Sequence, residues 1–282
     1  MNNYEMVKHG TSDFPIDVHT THQADGFSLY PHIHKEFELL VMTEGSGKIF
    51  IDGTGFELKA GNGVFINSGA LHMGTAEGNS PCAFYAIVFS AEMFGRFGND
   101  LIMNKYVSPI INGKVIFPAV FKSGIDWQKI ILMSCEKISE LYRERKPCCE
   151  LRIKEQLLRI WSICTEHAHK SSEPDKGLET VKKAIEFIQS EYASPLTLED
   201  ISAHVNMSRE HFCRCFSSIM HMPPFEYLNL LRIDKGCCLL KETDLPISRI
   251  AELCGFNSFS YFSKKFKKTT GKTPAAYRRG NI

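Results

Sequence analysis

Ile201, Ser202 and Val205 recur 49 residues later as Ile250, Ala251 and Cys254, and Ser208, Phe212 and Phe216 recur 50 residues later as Ser258, Phe262 and Phe266. Each copy reads as a short helix, a tight turn and a second helix, with one extra residue in the second turn. The serine stands where a helix N-cap belongs, because its hydroxyl can satisfy an amide N–H that the first turn leaves without an intrahelical partner. The two phenylalanines, four positions apart, fall on one face of the helix that follows. A helix-turn-helix presents the first residues of its second helix to base edges in the major groove. One copy alone fits a structural helical hairpin as well as a DNA reader. Two copies at one spacing, with basic residues on the outer face, point to DNA.

Charge supports that reading once it is divided along the chain. The whole sequence of 282 residues is close to neutral at +1, yet residues 175–282 hold 16 bases against 12 acids and residues 1–174 hold 17 against 20. After Glu252 there is no acid, while Lys264, Lys265, Lys267, Lys268, Lys272, Arg278 and Arg279 follow closely. A basic run on a helical segment suits a phosphate-facing surface, its plainer alternative being a solvated face. The polar stretch from Met1 to Pro15 lacks the apolar core of a signal peptide, and no apolar run approaches the roughly 18 residues that span a bilayer. A cytoplasmic protein without a membrane partner is expected. The ten cysteines form no CxxC pair, so reduced, buried thiols are expected, with a redox switch as the alternative.

The N-terminal part has a different period. Phe37–Val41, Lys48–Ile51, Val64–Ile66 and Phe84–Phe89 are short runs rich in β-branched and aromatic residues, separated by Gly45, Gly47, Gly53, Gly61, Gly63 and Gly69; that spacing suits a small barrel. From about Asp126 the period becomes helical: Ile130, Met133, Ile138 and Leu141, then Leu151, Leu157, Leu158 and Trp161, predict two amphipathic helices joined at Lys146–Pro147. These helices either form a homodimer surface or pack only on their own barrel. The expected class is an α+β multidomain chain: a small barrel with an N-terminal arm over 1–118, a helical connector over 119–170, a polar linker over 171–177 and an all-α DNA-binding domain over 178–282.

The motifs themselves carry a family resemblance. The run Leu198-Glu-Asp-Ile-Ser-Ala-His-Val-Asn-Met-Ser-Arg-Glu-His-Phe-Cys-Arg-Cys-Phe216, the run from Pro246 to Lys268 and Gly271-Lys-Thr-Pro-Ala-Ala-Tyr-Arg278 closely resemble the AraC family of bacterial transcription regulators. The resemblance covers about the last hundred residues. It implies seven helices, two of them recognition helices joined by a long helix over about Pro224 to Lys241. Carried over by position, the first recognition helix offers Arg209, Glu210, His211, Cys213 and Arg214 to DNA, and the second offers Phe259, Ser260, Ser263 and Lys264, with Lys268 on phosphate. Arg214 suits guanine O6 and N7 together, whereas Lys264 suits either a base or a phosphate. Glu210 departs from the bulky or basic residue expected there: it either accepts from cytosine N4 or faces solvent. His211 is read as packing or phosphate contact rather than as a base reader.

Gly26-(x5)-His32-x-His34-(x3)-Glu38-(x6)-Gly45 fits the first cupin motif at every spacing. Gly61-(x5)-Asn67-Ser68-Gly69-(x2)-His72 resembles the second, with Asn67 in place of the usual proline and Ala76 in place of the usual asparagine. If residues 32, 34 and 38 lie on one strand, their shared parity turns them to one face, the cavity of a small barrel. His32, His34, Glu38 and His72 then have three roles open to them: contact with an effector, coordination of a divalent metal such as Mn, Fe, Ni or Zn, or structure alone. The function expected is a regulator, by family habit an activator acting with RNA polymerase, that binds an operator in double-stranded DNA and responds to a small-molecule effector, a sugar among the candidates. The rival from another class is a metal-dependent cupin enzyme with an accessory DNA-binding module; the chain shows no further acid, base or Gly-rich loop that identifies a substrate.

Overall fold

The structure is a computed structural model that describes residues 9–171 and 176–280, apart from positions 25, 77, 79 and 97. Most of the expected N-terminal arm and residues 172–175 of the expected linker lie outside the described residues. The described residues fall into two compact units, one within 9–171 and one within 176–280.

The first unit is built on β1 (Ile16–Gln23), β2 (Leu29–His32), β3 (Phe37–Glu44), β4 (Ser46–Ile51), β5 (Thr54–Lys59), β6 (Gly63–Ile66), β7 (His72–Ala76) and β8 (Cys82–Phe89). Helical turns at Ala91–Met93 and Met103–Val107 lead into α1 (Ser108–Ile111). After them come β9 (Val115–Ile116), β10 (Val120–Phe121), α2 (Asp126–Glu144), α3 (Cys149–Glu166) and β11 (His169–Lys170). The larger antiparallel sheet runs β1-β8-β3-β6-β10 and the smaller runs β2-β7-β4-β5, with β11 pairing to β9 apart from both. All four strand runs expected from the sequence fall inside strands.

Alternation along the strands divides the apolar side chains between two cores. Leu40, Met42, Val64, Ile66 and Phe84 face inward, where they meet Phe27, Ile49 and Leu58 of the barrel interior. Phe37, Leu39, Tyr85, Ile87 and Phe89 face outward and are covered by Ile131, Cys135, Ile138, Leu141, Ile153, Leu157 and Trp161 of α2 and α3. That is why β8 is buried along its whole length and reads as a continuous apolar run. Trp161 anchors the outer core: its ring lies 4.8 Å from Phe37 and 4.4 Å from Phe94, and its Nε1–H donates to Tyr106 O at 2.9 Å. Three residues that the helical period placed on the expected apolar face, Met133, Leu151 and Leu158, are instead exposed at 59%, 71% and 42%. The packed face is rotated toward Ile131 and Ile153 because a sheet, rather than the partner helix alone, is what it covers.

The second unit contains, among the described residues, the seven helices α4 (Lys176–Glu191), α5 (Leu198–His204), α6 (Arg209–Met220), α7 (Pro224–Glu242), α8 (Ile247–Leu253), α9 (Phe259–Thr270) and α10 (Pro274–Arg279). The repeat is realised as α5-turn-α6 and α8-turn-α9. Ser208 Oγ accepts from His211 N and Ser258 Oγ accepts from Tyr261 N, each at 3.3 Å, so both serines cap as the sequence predicts. Met207 N donates to Ser202 O and Phe256 N to Ala251 O in equivalent bonds. The inserted residue is therefore Asn257. Long α7 feeds both halves of the core: Tyr227, Leu228 and Leu231 are buried along its first half, and Ile233, Gly236 and Leu240 along its second. Gly236 matters here, since a Cβ at that position would lie 3.2 Å from the Phe262 ring.

Candidate functional sites

Inside the barrel, inward parity on adjacent strands builds a chamber of about 360 Å³. Its walls include Phe84, Ala86 and Val88 of β8, His19, Thr21 and Gln23 of β1, and Glu38 of β3. His19 pairs in register with Ala86 and Thr21 with Phe84. β1 is thus a chamber wall that the sequence reading missed; its trace was the polar parity Asp17, His19, Thr21, Gln23. Also lining it, His9 has its Nδ1 3.2 Å from His19 Nε2, which is 3.5 Å from Asp17 Oδ2.

The four cupin-motif residues converge, His32, His34 and Glu38 lining the chamber and His72 fully buried, but not by the route expected. His32 ends β2 in the small sheet, Glu38 sits on β3 in the large one, and His34 lies in the connection between them. The shared-strand parity is therefore incorrect, and convergence comes from the chain crossing between sheets. His72 joins because it pairs in register with His32. His34, Glu38 and His72 are 3%, 3% and 0% exposed.

Each histidine is held by its Nδ1–H against a backbone carbonyl: His32 to Tyr30 O at 2.6 Å, His34 to Glu36 O at 3.1 Å and His72 to Ala70 O at 3.0 Å. Nε2 of His34 and His72 is left on the Glu38 side, its donor or acceptor role set by the tautomer. His34 Nε2 lies 3.1 Å and His72 Nε2 3.3 Å from the same oxygen, Glu38 Oε2. His72 Nε2 is fully buried at that contact. Burial, reinforced by the His72 ring, pushes His32 down to about 3, so it stays neutral at ordinary pH. Burial also penalises ionisation of Glu38, but contact with the His34 and His72 rings outweighs it and holds the carboxyl well below the usual range. One donor atom from each of the four lies within 4.8 Å of the others. Donors around one ion at about 2.0–2.2 Å stand roughly 3–4 Å apart, so the four would have to draw inward to hold a divalent metal.

In the second unit, Arg209, Glu210, His211 and Arg214 are exposed on α6 with Cys213 half-buried beside them, while Phe212 and Phe216 face the core. On α9, Phe259, Ser260, Lys264 and Lys268 are exposed and Ser263 is half-buried, opposite Phe262 and Phe266. Every candidate thus lies off the packed face. Arg209 is engaged at 2.8 Å by Glu199 of α5. Tyr261, which the sequence reading passed over, is 45% exposed beside Phe259 at 49%. An aromatic one position out of phase with Phe262 and Phe266 was the available clue.

A helical unit with two helix-turn-helix copies and a barrel with a ligand-sized chamber, carried on one chain, define a ligand-responsive transcription regulator. A family model described as an AraC-like ligand binding domain matches residues 16–115, and one described as a helix-turn-helix domain matches residues 201–280. The chain belongs to the AraC family of DNA-binding transcription regulators. Its relatives include the HTH-type transcriptional regulator YdeC of Bacillus subtilis, 28% identical over 98% of this chain and 96% of that protein. Another is the lactose operon transcription activator of Staphylococcus xylosus, 25% identical over 85% of this chain and 82% of that one. ToxT of Vibrio cholerae has the same fold, with a TM-score of 0.50 at 15% identity, over 94% of this chain and 98% of the ToxT chain. Both matched domains and these relatives are regulators rather than enzymes, which removes the cupin-enzyme alternative. Among the described residues, no helix is long and apolar enough to cross a membrane.

Proposed function

We propose that this regulator activates transcription of a carbohydrate-utilisation operon, and that its effector binds in the barrel chamber against His32, His34 and Glu38, with His72 buried in contact with Glu38. The observation that carries the reading is the chamber: about 360 Å³ lies within the range of small-molecule sites and brings polar groups together against an apolar wall. The lactose operon activator among the relatives suggests the class of operon. The DNA contacts are Arg209, Glu210, His211, Cys213 and Arg214 of α6 and Phe259, Ser260, Ser263, Lys264 and Lys268 of α9, with Arg214 the principal base reader. Effector binding biases an existing equilibrium between arrangements of sensor (1–118), connector (119–170) and DNA-binding domain (178–282), joined by the linker 171–177. The protein acts in the cytoplasm as a homodimer and engages RNA polymerase at the promoter. Leu151 and Leu158, seven positions apart on α3 and both exposed, support the dimer because they form one apolar stripe.

Thr21→Trp tests the chamber, since it fills the space from β1 without altering any of the four converging residues. A promoter-reporter assay should show induction lost, and a gel shift should show operator affinity within about twofold of the parent, the recognition helices being elsewhere in the chain. Normal induction in a folded Thr21→Trp protein would place the effector outside the chamber.

A further inference from the structure

We infer that His9, Asp17 and His19 form a binding site for one divalent transition-metal ion, apart from the Glu38 cluster and independent of where the effector binds.

Strand parity supplies two of the donors. Asp17 and His19 stand two positions apart on β1, so their side chains leave the same face of the strand. The third donor arrives from outside the strand. Thr11 N and Ile16 N both donate to Phe14 O, at 3.1 and 2.9 Å, and the turn they close carries His9 back beside β1. His9 Nδ1 thereby comes within 3.2 Å of His19 Nε2, which is 3.5 Å from Asp17 Oδ2, and all three atoms lie within 4.8 Å of one another. Donors held by one ion at about 2.0–2.2 Å stand roughly 3–4 Å apart, so a small turn of the half-buried His9 ring completes the set.

His19 Nε2 shows what a cation would relieve. It carries at most one hydrogen, yet it faces both an imidazole nitrogen and a carboxylate oxygen, and the 3.5 Å separation from Asp17 is too long for a good N–H···O bond. One proton cannot serve both partners. A cation among the three atoms satisfies them together, and two imidazoles with a carboxylate suit Co²⁺, Ni²⁺ or Zn²⁺ better than calcium or magnesium.

Asp17 is also oriented from behind, as metal-binding carboxylates are. Its Oδ1 accepts from the Tyr142 hydroxyl at 2.7 Å and from Val18 N at 2.8 Å, which leaves Oδ2 for the ion. The Arg145 guanidinium lies 3.7 Å over the Tyr142 ring and steadies it. Tyr142 is therefore a positioning residue. His34, with its ring 6.0 Å from that of His9, is engaged by Glu36 O and Glu38 and stands outside the set. His19 is exposed, so the ion has an entry path from solvent. One ion would join the segment before β1, β1 itself and, through Tyr142, the end of α2.

The test uses untagged full-length protein, stripped with a chelator and titrated with Co²⁺ against a chromophoric competitor. His9→Gln and Asp17→Asn should each weaken cobalt binding roughly tenfold or more and alter the cobalt visible band, and Tyr142→Phe should weaken it by about tenfold. Among the described residues no other candidate donor set contains His9, so its loss reports this site and not the Glu38 cluster. Circular dichroism checks that each variant is folded, and Asp17→Asn carries the test should His9→Gln fail to fold. No cobalt bound by folded wild type, or equal affinity in wild type and in the folded His9→Gln and Asp17→Asn proteins, would overturn the site.

Discussion

The two helix-turn-helix copies share a scaffold and differ in almost everything they show to solvent. Their phenylalanine pairs, Phe212 with Phe216 and Phe262 with Phe266, both have ring centroids 5.5 Å apart, and both recognition helices start from a capping serine. The first copy also opens with a reciprocal lock, in which Thr197 Oγ1 accepts from Asp200 N and the Asp200 carboxylate accepts from Thr197 N. The second opens at Pro246 with no side-chain cap. Their turns reach the left-handed region through different residues, Asn206 at φ 55 and Gly255 at φ 80. Only Gly255 is forced by space, for a Cβ there would stand 2.7 Å from Tyr192 O. The first copy is thus held by its own polar groups and the second by close packing against the rest of the unit.

The outer faces diverge further. α6 presents charged, hydrogen-bonding groups, among them Arg209, Glu210, His211 and Arg214, whereas α9 opens with two exposed aromatic rings, Phe259 and Tyr261, ahead of Lys264 and Lys268. Equal scaffolds with unequal surfaces mean that the two half-sites in DNA should differ in chemistry. Guanine suits α6, while thymine, whose methyl group is an apolar contact in the major groove, suits α9.

The largest expected effect comes from breaking the coupling between the copies. The 19 residues of α7 make a continuous strut of about 28 Å, close enough to the ~34 Å groove repeat for side chains to bridge the difference. Inserting five base pairs between the sub-sites turns one to the opposite face of DNA, and inserting ten exceeds the strut's reach. Either insertion should cost about 10²–10⁴-fold in affinity by removing linked binding, measured with the fragment 175–282 to exclude dimer effects. Protection of both sub-sites at near-normal affinity on the ten-base-pair operator would show that α7 is not a rigid spacer.

A smaller effect should separate reading from holding. Arg214→Ala should lose about 1–3 kcal/mol at the operator with little change on random DNA, while Lys268→Ala should weaken both alike and flatten the salt dependence. Equal losses on both DNAs for Arg214→Ala would remove it as a base reader. The smallest effect is the sharpest probe of the difference between the copies: uracil in place of thymine under α9 should cost about 0.8 kcal/mol, the worth of one buried methyl, and should cost nothing under α6. Titration of the two substituted operators by fluorescence anisotropy distinguishes the cases, and equal penalties would mean that both helices read their sub-sites in the same manner.

The repeat, both serine caps, the seven-helix unit with its long central helix, four barrel strands and the four converging residues were legible in the sequence. The repeat, the caps and the strands depend on local spacing, on which periodicity and capping act directly, whereas the seven helices, the long central helix and the converging residues were implied by the family resemblances. What the tertiary structure alone decided was every contact between elements far apart in the chain. Register brought His72 onto His32 and placed His19 and Thr21 of β1 opposite β8, and a crossover between sheets carried Glu38 to the histidines. Packing against the sheet turned Met133, Leu151 and Leu158 outward, and the phase of α9 exposed Tyr261. A period states which residues share a face; which partner covers that face, and which opposing strand completes a site, is settled by pairing across long stretches of sequence that no local pattern encodes.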